Sequence, residues 1–231
     1  MKIYAISDLH LSSTGDKPMD IFGEKWGGYL EKIEYDWNEK VSDDDIVLIS
    51  GDISWAMKLE NALTDIEFLT KLKGTKIIIR GNHDYWWQSI TRVRSALPNN
   101  IIALQNDAVK IGNYVFCGSR GWAVEGSPDF NEQDRKLYLR EAERFTLALK
   151  NAEKLLEEGD ELIALIHYPP FNIRKEDSLF TNLFEKYKVS KVVYGHLHGK
   201  DAKPYFRINK NGVEYILASC DLIDNKLVEV Y

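Results

Sequence analysis

Ile46-Val47-Leu48-Ile49-Ser50-Gly51-Asp52 is a run of four aliphatic side chains closed by a small polar residue, a glycine and a carboxylate. Four residues without polar alternation, bounded by turn formers, fit a strand covered on both faces better than an amphipathic helix. The signature recurs at residues 2–6 before Asp8, 76–79 before Gly81, 162–166 before His167 and 191–194 before Gly195. Each run ends within two residues of Gly, Asp or His. The intervening stretches are long enough for helices, and the clearest is predicted over residues 131–158. There Leu137, Phe145, Ala148, Leu149, Ala152, Leu155 and Leu156 form one apolar stripe, and Gly159 stops it. The last third differs. Residues 205–208 and 213–217 flank Asn209-Lys210-Asn211-Gly212, and 227–230 follow a turn at Asp224-Asn225, so antiparallel strands joined by tight turns are expected. The fold class is therefore α/β with a mixed sheet.

The 231 residues, 44% hydrophobic and 12% aromatic, supply one sizeable core. With no repeat, low-complexity tract or linker, the expectation is a single domain over residues 1–231. The 36 acidic against 30 basic side chains give a net charge of −6. That balance leaves no global positive field for extended nucleic acid or an anionic membrane, so a phosphate-bearing partner must be caught locally. Cys117 and Cys220 stand far apart and in no ligand spacing, which suits a reducing compartment. The longest apolar run, residues 162–166, is far short of the roughly 20 residues of a membrane-spanning helix. Lys2 leads into only four apolar residues before Ser7-Asp8, unlike a secretory leader, and a cytoplasmic location is expected.

All five histidines, His10, His83, His167, His196 and His198, fall at or just past the ends of these runs. Strand ends are where open α/β sheets build sites. In Asp8-Leu9-His10 and His196-Leu197-His198 the polar residues are two apart, and in an extended segment they would share a side and face one ion. Gly51-Asp52 and Gly81-Asn82-His83-Asp84 place a glycine where the chain must turn tightly. Three Asp, one Asn and five His, with no Cys among them, are about the oxygen and nitrogen ligands that two divalent ions with an open position require.

These blocks resemble those of the calcineurin-like metallophosphoesterases. The family pattern runs Asp-x-His, Gly-Asp, Gly-Asn-His-Asp/Glu, a single His, then Gly-His-x-His, and here stand Asp8-Leu9-His10, Gly51-Asp52, Gly81-Asn82-His83-Asp84, His167 and Gly195-His196-Leu197-His198. The resemblance implies two packed β-sheets flanked by helices. It implies that Asp8, His10 and His198 hold one metal, that Asn82, His167 and His196 hold the other, and that Asp52 bridges them. It makes His83 the non-ligand histidine that steadies the phosphoryl group or protonates the leaving oxygen, with Asp84 hydrogen-bonded to that imidazole. The implied activity is cleavage of a phosphomonoester or phosphodiester by a metal-bridging hydroxide, with a nuclease or nucleotide pyrophosphatase of the same chemistry as alternative and a non-catalytic scaffold as the remaining reading. The mixed donor set suits Mn²⁺, Fe²⁺ or Zn²⁺ over Mg²⁺ or Ca²⁺. Two dications against Asp8, Asp52 and a hydroxide leave a site charge of about +1, enough to draw a small anionic substrate to an acidic protein.

Six tryptophans leave two expectations open. Trp55, Trp86, Trp87 and Trp122 closely follow glycine-bearing turns, where they either wall the site and stack on a base or sugar, or pack helix against sheet. Arg120 and Arg174-Lys175 are candidates for phosphate contact or ordinary solvated residues. Cys220 reads as a small residue near a strand end. The continuation Gly51-Asp52-Ile53-Ser54-Trp55-Ala56-Met57 lacks the arginine of the Ser/Thr protein phosphatases, which disfavours that activity.

Overall fold

The computed structural model describes residues 1–13, 17, 19–199 and 205–231. One sheet holds β1 (Ile3–Ala5), β2 (Ile46–Ile49), β3 (Thr75–Ile79) and β4 (Ile101–Leu104) in parallel, with β11 (Val228–Glu229) antiparallel on the outer side of β1. The other comprises β5 (Asp107–Ile111), β6 (Tyr114–Ser119), β7 (Glu161–Ile166), β8 (Lys191–Tyr194), β9 (Arg207–Lys210) and β10 (Val213–Leu217), in the order β5-β6-β7-β8-β10-β9. Its four central strands are parallel and its two edge strands antiparallel. Both sheets are mixed, as the sequence predicts.

The sheets face one another, which explains the continuous apolar runs. Ile3, Ala5, Ile46, Leu48, Ile77 and Ile79 meet Phe116, Ile163, Leu165 and Val193 between the sheets. The alternate residues Tyr4, Val47, Ile49 and Ile78 point outward against α1 (Tyr29–Lys40), α2 (Leu59–Lys71) and α3 (Ile90–Ala96). On the far side Cys117, Leu162, Ala164 and Ile166 pack against α4 (Glu132–Glu153) and α5 (Leu179–Lys186). Period-2 side-chain alternation thus buries every position of a central strand, at about 1.5–3 kcal/mol per large aliphatic residue.

Several boundaries differ from expectation for local reasons. Asn131 caps α4, its side chain accepting from the Gln133 and Asp134 amides, but the helix ends at Glu153 rather than 158. Past Ala152, the last wholly buried residue, the stripe runs off the sheet and Leu155 is exposed. The hairpin turn is Asn211-Gly212 alone, because Lys210 pairs with Val213 and both turn residues take positive φ, 51° and 81°. That is the two-residue turn whose twist matches the strands. The segment expected at 227–230 joins the first sheet instead of continuing the hairpin. Strands β4, β5 and β6 are not singled out by the sequence; β5 is half-buried throughout, so its pattern is weak.

At one end the two sheets meet. Ser7, just past β1, bridges Ser219, just past β10, in parallel, with Ser7 N–H to Ala218 O at 2.7 Å and Cys220 N–H to Ser7 O at 3.0 Å. The C-terminal ends of β1, β2, β3, β7 and β8 therefore open onto one place.

Candidate metal centre and active site

All the expected site residues leave the C-terminal ends of parallel strands: Asp8 and His10 from β1, Asp52 from β2, Asn82 to Asp84 from β3, His167 from β7, and His196 and His198 from β8. The route by which they converge differs from expectation. Asp8, His10, Asp52 and His196 have φ of 60°, 47°, 51° and 70°, so these loops are not extended and strand alternation does not pair their side chains. Left-handed backbone at non-glycine residues costs on the order of 1–3 kcal/mol each and persists where the surroundings over-determine it. Here the flanking packing aims four ligand side chains inward.

Two glycines make the approach possible. A Cβ on Gly195 would lie 2.3 Å from Asp8 Oδ2, and one on Gly81 would lie 2.1 Å from Asp52 Oδ1. Gly195→Ala is accordingly expected to displace Asp8 and weaken metal binding at least tenfold while the fold is retained, as read by metal titration beside circular dichroism. Unchanged affinity would contradict the close approach.

The donors form two groups. His198 Nε2 lies 3.3 Å from Asp8 Oδ1, and His10 Nε2 lies 3.5 Å from His198 Nε2. In the other group, Asn82 Oδ1 lies 2.7 Å from His167 Nε2 and 2.8 Å from His196 Nδ1. Asp52 divides its oxygens between them, Oδ2 at 3.7 Å from His10 Nε2 and Oδ1 at 3.5 Å from His167 Nε2. Ligand atoms of Asp8, His10 and His198 lie within 4.8 Å of one another, as do those of Asp8, Asp52 and His167.

The arrangement fits cations. His167 Nδ1 lies 2.8 Å from the Ser50 carbonyl, to which it can only donate, so in the neutral ring, the form that ligates a metal, Nε2 turns a lone pair on the lone pairs of Asn82 Oδ1. Two acceptors 2.7 Å apart are what a shared cation satisfies, and fixing the far ring nitrogen is how metal-ligating histidines are held. Burial lowers His10 and His196 to about 3, leaving both neutral and ligand-ready. Burial likewise pushes Asp52 up to about 7. His198 behaves oppositely: burial would lower it, but its bonds to Asp221 and Asp8 prevail and raise it to about 10. Its proton, shared with Asp8, occupies a place a cation would take. With nitrogen and oxygen donors and no sulfur, the set suits a borderline divalent metal.

His83 stands apart from both groups. Half-buried, it has its ring 5.6 Å from that of His10 and 4.5 Å from Trp55, with Nδ1 3.3 Å from the Tyr85 hydroxyl. The expected bond from Asp84 to this imidazole is not formed. The buried Asp84 carboxylate accepts from the Ile53 and Ser54 amides and Trp86 Nε1 on Oδ1, and from the Gly81 amide on Oδ2. It ties the loop after β2 to the loop after β3, and so positions Asp52 relative to Asn82.

The tryptophans divide. Trp86 and Trp87 are core residues, as the packing alternative has it. Trp55 stacks on His10 at 4.7 Å between centroids and 21° between planes, and Trp122 lies 5.1 Å from Tyr168, whose ring in turn lies 4.2 Å from that of His196. Arg174 pairs with Glu176 and Lys175 sits over the Tyr205 ring. Cys220 is fully buried, 3.2 Å by Sγ from the Asp8 carbonyl.

Two contributors escape the sequence reading. Asp221 Oδ1 lies 2.8 Å from His198 Nδ1, and Ser219 Oγ donates to Asp8 Oδ2 at 3.0 Å. A signal for them exists: Tyr215-Ile216-Leu217-Ala218 is another apolar run, followed by Ser219-Cys220-Asp221. Asp221→Asn is expected to lower metal affinity about 10–100-fold, the usual effect of losing a histidine's outer partner; equal affinity in a metal titration would remove Asp221 from the site.

A strand-end site of this composition on two facing mixed sheets defines a metal-dependent hydrolase of phosphate esters. The family model for calcineurin-like phosphoesterases matches residues 1–200, and the chain belongs to that family. Comparison with curated proteins finds no match. Among solved structures, phosphopantetheinyl hydrolase from Mycobacterium tuberculosis is similar at 15% identity, covering 99% of this chain and 95% of that one, with a TM-score of 0.56. The protein TT1561 of Thermus thermophilus is similar at 14% identity, covering 98% and 96%, with a TM-score of 0.61. Both likenesses concern the fold. Among the described residues no helix is long and apolar enough to cross a membrane.

Proposed function

We infer that this chain is a two-metal phosphohydrolase acting on a small phosphomonoester or phosphodiester. Asp8, His10 and His198 would hold one ion, Asn82, His167 and His196 the other, and Asp52 both. The observation that carries this reading is the division of the Asp52 oxygens between two donor groups. Two ions of Mn²⁺, Fe²⁺ or Zn²⁺ would supply polarisation of the phosphoryl group and generation of a nucleophile from water.

The protein's own groups do the rest. His83, outside both groups yet next to His10, would give its Nε2 proton to the leaving oxygen, with Tyr85 at Nδ1 to orient the ring. Burial and the neighbouring histidines lower its pKa, so the proton-giving form is populated toward acid pH. Tyr168 steadies the His196 ring. Beside His196 opens a mainly apolar cavity of about 460 Å³ walled by Tyr168, Phe171, Ile173 and Leu197, where the organic part of an ester fits. Ile173 is 82% exposed at its mouth, so Ile173→Asp should fold normally. It is expected to raise KM for p-nitrophenyl phosphate about tenfold with little change in kcat; an unchanged KM would place the organic group elsewhere.

The testing experiment strips the protein with chelator, restores Mn²⁺, Fe²⁺ or Zn²⁺ in turn, and compares p-nitrophenyl phosphate with bis-p-nitrophenyl phosphate. Metal-restored hydrolysis of either is expected. Silence on both with two ions bound per chain would overturn the reading in favour of a scaffold.

A further inference from the structure

One strand out from the metal centre lies a second cavity, of about 310 Å³, that none of the metal ligands lines. Its walls come from the ends of β3, β4 and β6 and from one face of α4, and they carry Arg80, Arg120, Arg140 and Arg144 with a single carboxylate, Glu141. Glu141 belongs to the buried stripe of α4 and is 1% exposed. One of its oxygens, Oε1, serves three guanidiniums: Arg144 at 2.6 Å, Arg120 at 3.6 Å and Arg140 at 3.9 Å. Arg80 receives nothing. Among the described residues no hydrogen bond or ion pair reaches its guanidinium, and its Nε is buried without a partner.

Four positive groups against one negative give the cavity a positive lining, Arg120 also lying over the Trp122 ring at 4.8 Å, and the hydrogen bond of the buried Arg80 Nε–H is left unmade. With Arg140 and Arg144 exposed to water, the unmade bond is the unfavourable part in the free protein. Guanidinium forks match the oxygens of phosphate two at a time, which a cluster of lysines would not do. The cavity is also close to the chemistry. Ser119 is in register with Ile166, the His167 amide donates to the Arg120 carbonyl at 3.0 Å, and Arg80 directly precedes Gly81-Asn82.

We propose that this arginine-lined cavity is an oxyanion site that holds a phosphate or diphosphate group beside the metal centre, with Arg80 and Arg120 at its base and Arg140 and Arg144 at its rim. The choice of phosphate, though not the anion site itself, rests on the phosphoesterase reading. The group comes either from a second phosphoryl on the substrate or from free phosphate or diphosphate.

Arg80→Gln is the informative variant, because a side chain without partners can be removed without stranding a charge. The unliganded variant should melt at or above the wild-type temperature. Diphosphate is titrated calorimetrically into chelator-treated and Mn²⁺-loaded protein. Chelator-treated wild type is expected to bind one diphosphate per chain, and Arg80→Gln to bind it at least about tenfold more weakly. With Mn²⁺ the wild type should bind one more equivalent than the variant does. Arg144→Gln, at the half-exposed rim, should weaken binding less. No binding to chelator-treated wild type, or equal binding by wild type and Arg80→Gln, overturns the site. Because the chelator arm needs no metal, its outcome is separable from failure of the two-metal reading. The source is then read from KM: if the anion is part of the substrate, Arg80→Gln erases the KM advantage of an ester bearing a second phosphate over the same ester without it. If it is free, that ratio is unchanged and the calorimetric site remains.

Discussion

Asp52→Asn is expected to lose both hydrolysis and metal, with metal affinity falling more than about 100-fold, beyond what an outer-shell partner costs. Asp52 is 1% exposed and is the residue whose two oxygens face different donor groups, so both groups lose a ligand at once. The amide keeps the shape and can still accept the His83 amide hydrogen, which Asp52 Oδ1 now does at 2.8 Å. It removes a carboxylate that burial disfavours, as the rise to about 7 records. Above that pH the metal-free wild type carries a buried negative charge that the variant lacks, so metal-free Asp52→Asn should melt at or above the wild type. Added Mn²⁺ should then raise the melting temperature of the wild type alone, by mass action on the folded state. A variant that folds, yet binds as much metal as the wild type, would remove Asp52 from the bridging position.

The second large effect concerns His83. His83→Ala should keep the wild-type metal content, because neither donor group includes its ring, while kcat falls by about 10²–10⁴. The loss should depend on the leaving group. A proton given to the departing oxygen matters most for an alkoxide and least for p-nitrophenolate, which leaves as a stable anion. The variant is therefore expected to lose far more on an alkyl phosphate than on p-nitrophenyl phosphate, a split that a merely structural histidine would not produce. Equal losses on both esters would assign His83 to steadying the phosphoryl group instead of to acid catalysis.

The strands that carry the site are legible in the sequence because they are buried on both faces, which makes residues 46–49 or 162–166 continuously apolar. Strand β5 is not, because Asp107 and Lys110 interrupt it and it lies half-covered at a sheet edge. The ligand set is legible because each member closes one of those runs and because the joint order of the blocks matches a family. What the sequence hides is direction. Extended geometry for Asp8-Leu9-His10 is the natural reading of a strand end, and only the packing around Gly51, Gly81 and Gly195 turns these residues into left-handed conformations. Asp84 next to His83 looks like an orienting pair, yet the amides of residues 53 and 54, brought in from another strand, claim its carboxylate. Asp221 follows a different strand from the one that leads to His198, and its bond to that ring exists only because β10 lies beside β8. Glu141 has Arg140 beside it and Arg144 at i+3 on the same helix, but nothing in the sequence reveals that Arg120 joins them from the end of β6.

The central claim is that two ions, held by two donor groups and joined by Asp52, are jointly required for phosphoester cleavage. Its most direct test titrates Mn²⁺ into stripped protein while following bound metal and p-nitrophenyl phosphate hydrolysis together. Binding of two equivalents per chain is expected, with activity rising as the second is taken up. Full activity at one equivalent, or two bound equivalents with no activity on either a monoester or a diester, would contradict it.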